Sequence, residues 1–557
     1  MPDTSAPPAT VAAAIRARAV DSPARVFVRT PDRQWTFAET YAEACRYANL
    51  FLARRGAGPF HVGVLMDNLP EFVFAELGCA LAGAALVGLN PTRTGSALAR
   101  DIEYADCQLV LSEARYAEQL REAIGERLPV LLADDPEASL PAALAAVGAD
   151  DPEVAVDSST LLMLVFTSGT TKAPKGVLNS QGRLMMLGFG ANMYMCHCTV
   201  DDIVYCAMPL YHANAQILAL APPLIAGGGL ALARRFSKTQ FLADVRRYGA
   251  TLFNYVGNPL AYIMDTPARP DDAHNPLRLA YGNEAPRQFI AAFGERFGCQ
   301  VIDGYGASEV GVGFSRTAED PARSLGRAPG VKILAEDGRE CPPARFDSDG
   351  RLLNAEEATG EIVNTTGKFL FEGYYKDAAA TAERTRDGWF HTGDLGYADA
   401  DGYIYFAGRD AEWIRVGGEN FLARPIEEAL AQYPDVMLAS VYGVPDPEAG
   451  DQVMAALLLQ DGAQFDAERF TAFLDRADLP PRWRPTFLRV GREIASTATN
   501  KILKRNLRRE KFLLDRVTDP LFWRPRGADT FRPFTPADLD ALRARFTAAG
   551  YADRLEE

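Results

Sequence analysis

The sequence predicts an α/β protein: a large N-terminal domain of parallel-sheet sub-domains plus a β-rich sub-domain, followed by a small α+β C-terminal domain. Three observations carry this. Strand-like and helix-like segments alternate from about residue 20 to 300, which implies a largely parallel sheet covered on both faces. After about residue 325 the texture turns to short, Gly-punctuated β segments such as GEIVNTT and GYIYFAGRD, as in a small antiparallel or barrel unit. The 557 residues also exceed what one hydrophobic core usually serves.

Taken in order, residues 36–55 carry apolar side chains at helical spacing. HVGVLMDN (61–68) reads as a buried strand running into a turn, and PEFVFAELGCALAGA as a helix with Pro70 at its start. The strand–helix rhythm returns in FSKTQFLADVRRYGATLFNYVG and PRQFIAAFGERFGCQVIDGYG. GRDAEWIRVGG marks a junction, giving domains 1–409 and 410–557. Beyond it PIEEALAQYPDVMLASVYGVPD and VMAALLLQ supply a helix and strands, and the tail ends in a helix capped near Thr535.

Composition narrows the function. With 58 basic and 73 acidic residues the net charge is −15, which argues against a general nucleic-acid binder. An anionic ligand must then be met by local positive charge and backbone amides. The eight cysteines show no framework spacing and read as reduced thiols of a cytoplasmic protein. Cys196-His197-Cys198 is not read as a zinc site, because adjacent residues rarely converge on one ion. No secretory signal is visible, and the apolar stretches 79–90 and 217–233 are too short or too broken to span a membrane. Peripheral membrane contact stays open.

The most informative stretch is LLMLVFTSGTTKAPKGV (161–177). An apolar run ends in a loop of Thr167, Ser168, Gly169, Thr170, Thr171, Lys172, Ala173, Pro174 and Lys175. Small residues let the backbone approach a ligand, hydroxyls hydrogen-bond to it and lysines add charge, which suits a polyphosphate. The spacing is not that of the usual P-loop. Taken alone, a solvated turn explains it as well.

Downstream, MPLYH (208–212), YGNEAPR (281–287), DGYGASE (303–309), WFHTGDLGY (389–397), GRDAEWIRVGGEN (408–420) and NKILKR (500–505) follow in one order. With the loop, these seven motifs resemble the adenylate-forming superfamily of acyl-CoA synthetases, adenylation domains and luciferases, over about residues 20–515. MPLYHANAQ, GGENF and DPLFWRP look most like the fatty-acid transport protein and very-long-chain acyl-CoA synthetase branch. The resemblance implies a two-step reaction with ATP, Mg²⁺ and coenzyme A. A carboxylate attacks the α-phosphorus of ATP, and a thiol then displaces AMP.

The resemblance also implies roles. Thr167 to Thr171 and Lys175 hold the β- and γ-phosphates. Gly282, Asn283 and Glu284 line adenine, Tyr305 stacks on it within the Gly304, Gly306, Ala307 and Ser308 turn, and Asp303 contacts its amino group. Glu309 ligates Mg²⁺. Asp394 accepts the ribose hydroxyls and Arg409 bonds ribose or phosphate. Lys501 bridges acid and α-phosphate, while His212 sits at the carboxylate end of the acid pocket or is simply a satisfied core histidine. Phe253, Tyr255, Val256, Gly311 and Phe314 bound that pocket, which suits a fatty or aromatic acid. In the second step the mobile C-terminal domain swings, and Gly417 and Gly418 line the pantetheine tunnel, with Arg415 steering the nucleotide end of coenzyme A. Family members are often dimers, which leaves a homodimer open, but no motif here reports the oligomeric state.

Three positions depart from the family pattern: Lys172, Ala411 and Asn500 stand where Gly, Asp or Lys, and Gly are usual. Two other readings remain at this point. One is a natural-product diazotase that activates nitrite with ATP and needs no coenzyme A. The other is a catalytically inactive binding protein of the same fold.

Overall fold

The computed structural model describes residues 6–135, 140–167, 174–314, 320–321, 324–347, 352–409, 413–417, 419–448, 450–497 and 501–556. The chain packs as two units, one of residues 1–311 and 368–385, the other of residues 312–367 and 386–557.

The first unit is built on two sheets. One has the order Gln300–Gly304, Leu279–Asn283, Leu252–Val256, Ile203–Cys206, Gly229–Leu232, Val26–Arg29, Gln34–Thr36, parallel except at the last pair. The other has the order Val130–Leu132, Cys107–Ser112, His61–Leu65, Ala85–Gly88, Leu161–Phe166, Gly176–Ser180, again antiparallel only at the last pair. His61–Leu65 is buried at every position, as expected of a strand covered on both faces. The expected α/β class with parallel sheets is therefore observed.

Helix Phe37–Arg54 starts at Thr36, whose side chain and that of Glu39 cap each other's backbone amides. Helix Pro70–Ala82 lies against it so closely that a Cβ on Gly78 would meet the Tyr47 Cβ at 2.6 Å. Pro70 opens this helix and Gly83, at φ 66°, closes it. The helix is almost wholly buried, Glu76 included, at 0% exposure. Phe253 and Tyr255 turn to one face of the first sheet, into an aromatic core with Phe241, Phe293 and Phe297.

The second unit holds an antiparallel sheet of Val331–Leu334, Gly360–Asn364, Phe390–Ala398 and Ile404–Arg409. Its core is Ile333, Ile362 and Ile404, with Phe314 packed against it. A further sheet is centred on the long hairpin Val436–Asp446 and Gly450–Leu459. Side chains alternate along it: Val441, Val453, Ala455 and Leu457 enter one core, Tyr442, Val444, Met454 and Ala456 another. Helix Pro536–Ala548 begins at Thr535, in a capping box with Asp538. Among the described residues no helix is long and apolar enough to cross a membrane. All eight cysteines are free.

Two outcomes follow from this packing. Phe253, 1% exposed, is part of the aromatic core. Phe253→Ala should destabilise the first unit by about 3–5 kcal/mol, read as an earlier urea midpoint. Burial raises the Glu76 carboxyl from 4.5 to about 8. The folded state then holds a proton that the unfolded chain gives up, so this contribution is complete below 4.5 and lost as pH rises through about 8. The melting temperature of Glu76→Gln, relative to the parent, should therefore climb across that window. A flat difference would contradict a buried neutral acid.

Candidate active site

The loop after Leu161–Phe166 returns as Gly176–Ser180, with Phe166 opposite Gly176. Its ends are clamped. The Thr167 amide donates to the Lys175 carbonyl at 3.0 Å, and the Lys175 amide faces Thr167 Oγ1 at 3.4 Å. Ser168, Gly169, Thr170, Thr171 and Lys172 lie outside the described residues. The exit strand is met by a distant segment: the Leu178 amide donates to Gly373 O, and Tyr375 N to Gly176 O. This puts the Lys175 ammonium 4.9 Å from the centre of the Tyr374 ring. The Tyr374 hydroxyl donates to Glu309 Oε1 at 2.7 Å and accepts from Arg384 Nε at 3.3 Å. Burial, then the charge of Glu309, pushes the Tyr374 hydroxyl up.

Glu309 is also held through its backbone. Arg183, 2% exposed, donates to the carbonyls of Ser308 at 3.2 Å, Glu309 at 2.7 Å and Leu370 at 2.6 Å. Burial pulls its pKa down to about 10. Beside it Glu372 accepts from the Ser180 amide and hydroxyl at 2.7 and 2.5 Å. Arg183, Glu372, Tyr374 and Arg384 lay outside every motif quoted above. Their partners are remote in sequence, and no local pattern announces them.

A second group gathers where two parallel strands end. Leu279–Asn283 and Gln300–Gly304 pair so that Gly282 faces Asp303 and Asn283 faces Gly304. This is the carboxyl edge of the sheet, where α/β proteins place ligands. Asp303 Oδ1 accepts from the Ala285 amide at 2.9 Å and the Tyr255 hydroxyl at 3.1 Å. Gly282 admits no Cβ, which would stand 2.0 Å from the Tyr255 carbonyl oxygen. Glu284, itself exposed, takes a left-handed φ of 66°. Tyr305, half-buried, opens the 305–309 turn, where the Val310 amide donates to Ala307 O at 3.0 Å. A Cβ on Gly306 would lie 2.9 Å from Asn283 Nδ2.

Of the residues expected around an acid, His212 is half-buried, its ring 4.4 Å from that of Tyr211. Val256 ends its strand, 5% exposed. Tyr255, fully buried, sits with Phe253 in the core and supports Asp303 rather than facing open space. Gly311 is buried in the first unit, whereas Phe314 packs in the second.

In the second unit Asp394 is 6% exposed and pairs in register with Arg409. The preceding turn is organised by Glu361, which accepts from Gly393 N and Arg386 at 2.8 Å each and lies 2.8 Å from His391 Nδ1. Glu361 too was not singled out from the sequence. Thr392 Oγ1 accepts from the Asp394 amide at 3.0 Å. Lys501 closes a small loop: its amide donates to Thr497 Oγ1 at 3.1 Å and its carbonyl accepts from Thr497 N at 2.7 Å. Arg415 is exposed, with its amide on Asp451 Oδ2 at 3.2 Å. Gly417 adopts a φ of 57° and its carbonyl accepts from Arg482 at 3.2 Å. Gly418, Ala411 and Asn500 lie outside the described residues.

Among the described residues no group of three or more His, Cys, Asp or Glu could hold a metal by itself. A lone carboxylate such as Glu309 still fits Mg²⁺, which typically takes one or two carboxylates and completes its shell with phosphate and water oxygens.

A family model described as "AMP-binding enzyme" matches residues 14–375, and one described as "AMP-binding enzyme C-terminal domain" matches 425–501. The chain is 43% identical over 536 residues to a steroid-22-oyl-CoA synthetase of Rhodococcus jostii, covering 94% of this chain and 95% of that one. It is 46% identical over 460 residues to a medium/long-chain-fatty-acid–CoA ligase of Mycobacterium tuberculosis, covering 82% and 87%. Among solved structures, an anthranilate CoA ligase in complex with anthranoyl-AMP shares the fold at TM-score 0.79 and 20% identity, covering 90% of this chain and 96% of that one. ATP-bound MatB from Rhodopseudomonas palustris does so at TM-score 0.77 and 24% identity, covering 90% and 98%.

The Tyr374 contacts make a prediction. Tyr374→Phe keeps the ring under Lys175 and removes the bond to Glu309, so titration of ATP with Mg²⁺ should show roughly tenfold weaker binding. Tyr374→Ala should weaken it further.

Proposed function

The chain belongs to the AMP-binding enzyme family, and from that premise we propose that it is an ATP- and Mg²⁺-dependent acid–CoA ligase. It joins a fatty or aromatic carboxylic acid to AMP, releases pyrophosphate, and passes the acyl group to coenzyme A. The observation that carries this reading is similarity along nearly the whole chain to proteins named as acid–CoA ligases. The same observation favours it over nitrite activation and over a non-catalytic protein.

In the first step a carboxylate oxygen attacks the α-phosphorus, and the bond to pyrophosphate breaks. Two anions approach each other, so positive charge must already be in place. Lys175 and the 167–171 loop take the outer phosphates, and Lys501 takes the acid and the α-phosphate together. Glu309, oriented by Tyr374 and by Arg183 behind it, would hold Mg²⁺, whose chemistry when bound is to neutralise phosphate charge. Gly282 to Glu284 and the turn from Gly304 to Ser308 hold adenine, with Tyr305 stacked on it and Asp303 near its amino group. Asp394 and Arg409 fix the ribose. His212 meets the carboxylate end of the acid.

In the second step residues 410–557 turn against 1–409. Lys501 withdraws, Gly417 and Gly418 line the thiol channel, and Arg415 steers the nucleotide end of coenzyme A. The thiol, with a reference pKa of about 8.5, loses its proton, and its sulfur attacks the acyl carbon while AMP leaves. This reading puts the enzyme in the cytoplasm.

Pyrophosphate release across fatty, cinnamic and aminobenzoic acids, with and without coenzyme A and with nitrite in parallel, tests the reaction. Release should require an acid, and a thioester should form once coenzyme A is present. Release driven by nitrite and an aromatic amine alone would overturn it. Lys501→Ala should slow adenylate formation about a hundred- to a thousandfold. Thioester formation from supplied acyl-AMP should fall far less.

A further inference from the structure

Four polar side chains without a role in the reaction above gather in the first unit. Glu76, Gln216 and Asn254 are 0%, 1% and 1% exposed, and Asn214 is half-buried. Both amide atoms of Asn214 and of Asn254 lack a hydrogen-bond partner among the described residues, and the Glu76 carboxyl and Gln216 Oε1 have little beyond each other. Buried polar groups are rarely left unmet in folded proteins, because stripping them of water is costly. The unmet atoms mix donors and acceptors, so a neutral polar group would satisfy them better than an ion.

They converge from three elements. Asn214 and Gln216 stand at the start of Ala215–Leu220, a π-helical segment that follows His212, and the Gln216 amide donates to His212 O at 3.3 Å. Single π-turns recur at functional sites. Asn254 lies between Phe253 and Tyr255, which turn to the aromatic core, so it projects from the opposite face of the sheet. That face is shared with its register partner Tyr281, whose hydroxyl donates to Leu218 O at 2.5 Å. Asn254 therefore looks toward the same π-helical segment. Glu76 comes from helix Pro70–Ala82 and lies beside Gln216, whose Nε2 is already engaged with Leu210 O at 2.6 Å.

We propose that Glu76, Asn214, Gln216 and Asn254 form a polar subsite of the acid pocket that takes a second oxygen, hydroxyl or keto, carried on the acid's apolar skeleton beyond its carboxylate. This rests on the acid–CoA ligase reading, which puts the carboxylate at His212, one turn before Gln216. Glu76 serves as a neutral acid there, since burial keeps it protonated to about pH 8. The substrate class is then an oxygenated apolar acid, and its plain counterpart leaves the subsite unmet.

Two matched pairs of acids test this: cholanic against lithocholic acid, and dodecanoic against ω-hydroxydodecanoic acid. Each is assayed by pyrophosphate release with the full chain. In at least one pair the hydroxylated member should have the higher kcat/KM, by about tenfold or more, since a site built around a hydroxyl discriminates against its absence. Asn254→Leu and Gln216→Leu should collapse that ratio toward one or invert it. A ratio near one in both pairs with the parent enzyme overturns the subsite, and no variant is needed to see it. A ratio that persists in both folded variants overturns it as well. If no acid of either pair drives release, the subsite is overturned, while the ligase reading is decided separately by release with the fatty, cinnamic and aminobenzoic acids above.

Discussion

Arg183 donates to carbonyls from two distant segments, Ser308 and Glu309 on one side and Leu370 on the other, while lying almost entirely out of water. A guanidinium in that position is stable only if its donors are met, and removing one partner leaves a buried charge uncompensated. The three segments are thereby fixed together: the hairpin that carries the Thr167–Lys175 loop, the turn that carries Glu309, and the stretch that carries Tyr374. Once they are fixed, Lys175, Tyr374 and Glu309 form one chain of contacts from cation to ring to carboxylate. Gly282, Asn283, Asp303 and Gly304 need no such tie, because the pairing of Leu279–Asn283 with Gln300–Gly304 already sets them side by side.

The net charge of −15 and an ATP-directed site are compatible for the same reason. Attraction for polyphosphate does not come from the protein's overall field. On the proposed reading it comes from local cations such as Lys175, held against the Tyr374 ring, so that little rearrangement is needed when the nucleotide arrives. The acid side follows another logic. On the proposed subsite, the buried amides of Asn214, Asn254 and Gln216 and the Glu76 carboxyl would discriminate more sharply than added apolar area does.

Much of this was legible from local pattern. Pro70 opens one helix, apolar spacing marks another over 36–55, a cap near Thr535 starts a third, and the change of texture after about residue 325 marks the antiparallel sheet. What was not legible depends on pairs far apart in the chain. Arg183 and Glu309 are separated by 126 positions and Tyr374 and Glu309 by 65, so neither pair leaves a motif. Strand residues raise a different difficulty. The alternation in Phe253, Asn254 and Tyr255 shows that neighbours face opposite ways, and only the packed sheet reveals that the aromatic pair is core. Glu76 likewise reads as one of two acidic letters in an otherwise apolar helix until its helix is seen to be almost wholly covered.

The central claim is that the acid is activated by attack of its carboxylate on the α-phosphorus of ATP. Turnover of an acid whose carboxylate carries heavy oxygen in both positions tests this directly, with mass analysis of the AMP and the thioester. The account predicts one heavy oxygen in the AMP phosphate and one retained in the thioester carbonyl. AMP free of label would contradict it, because the acid would then never have been bonded to phosphorus.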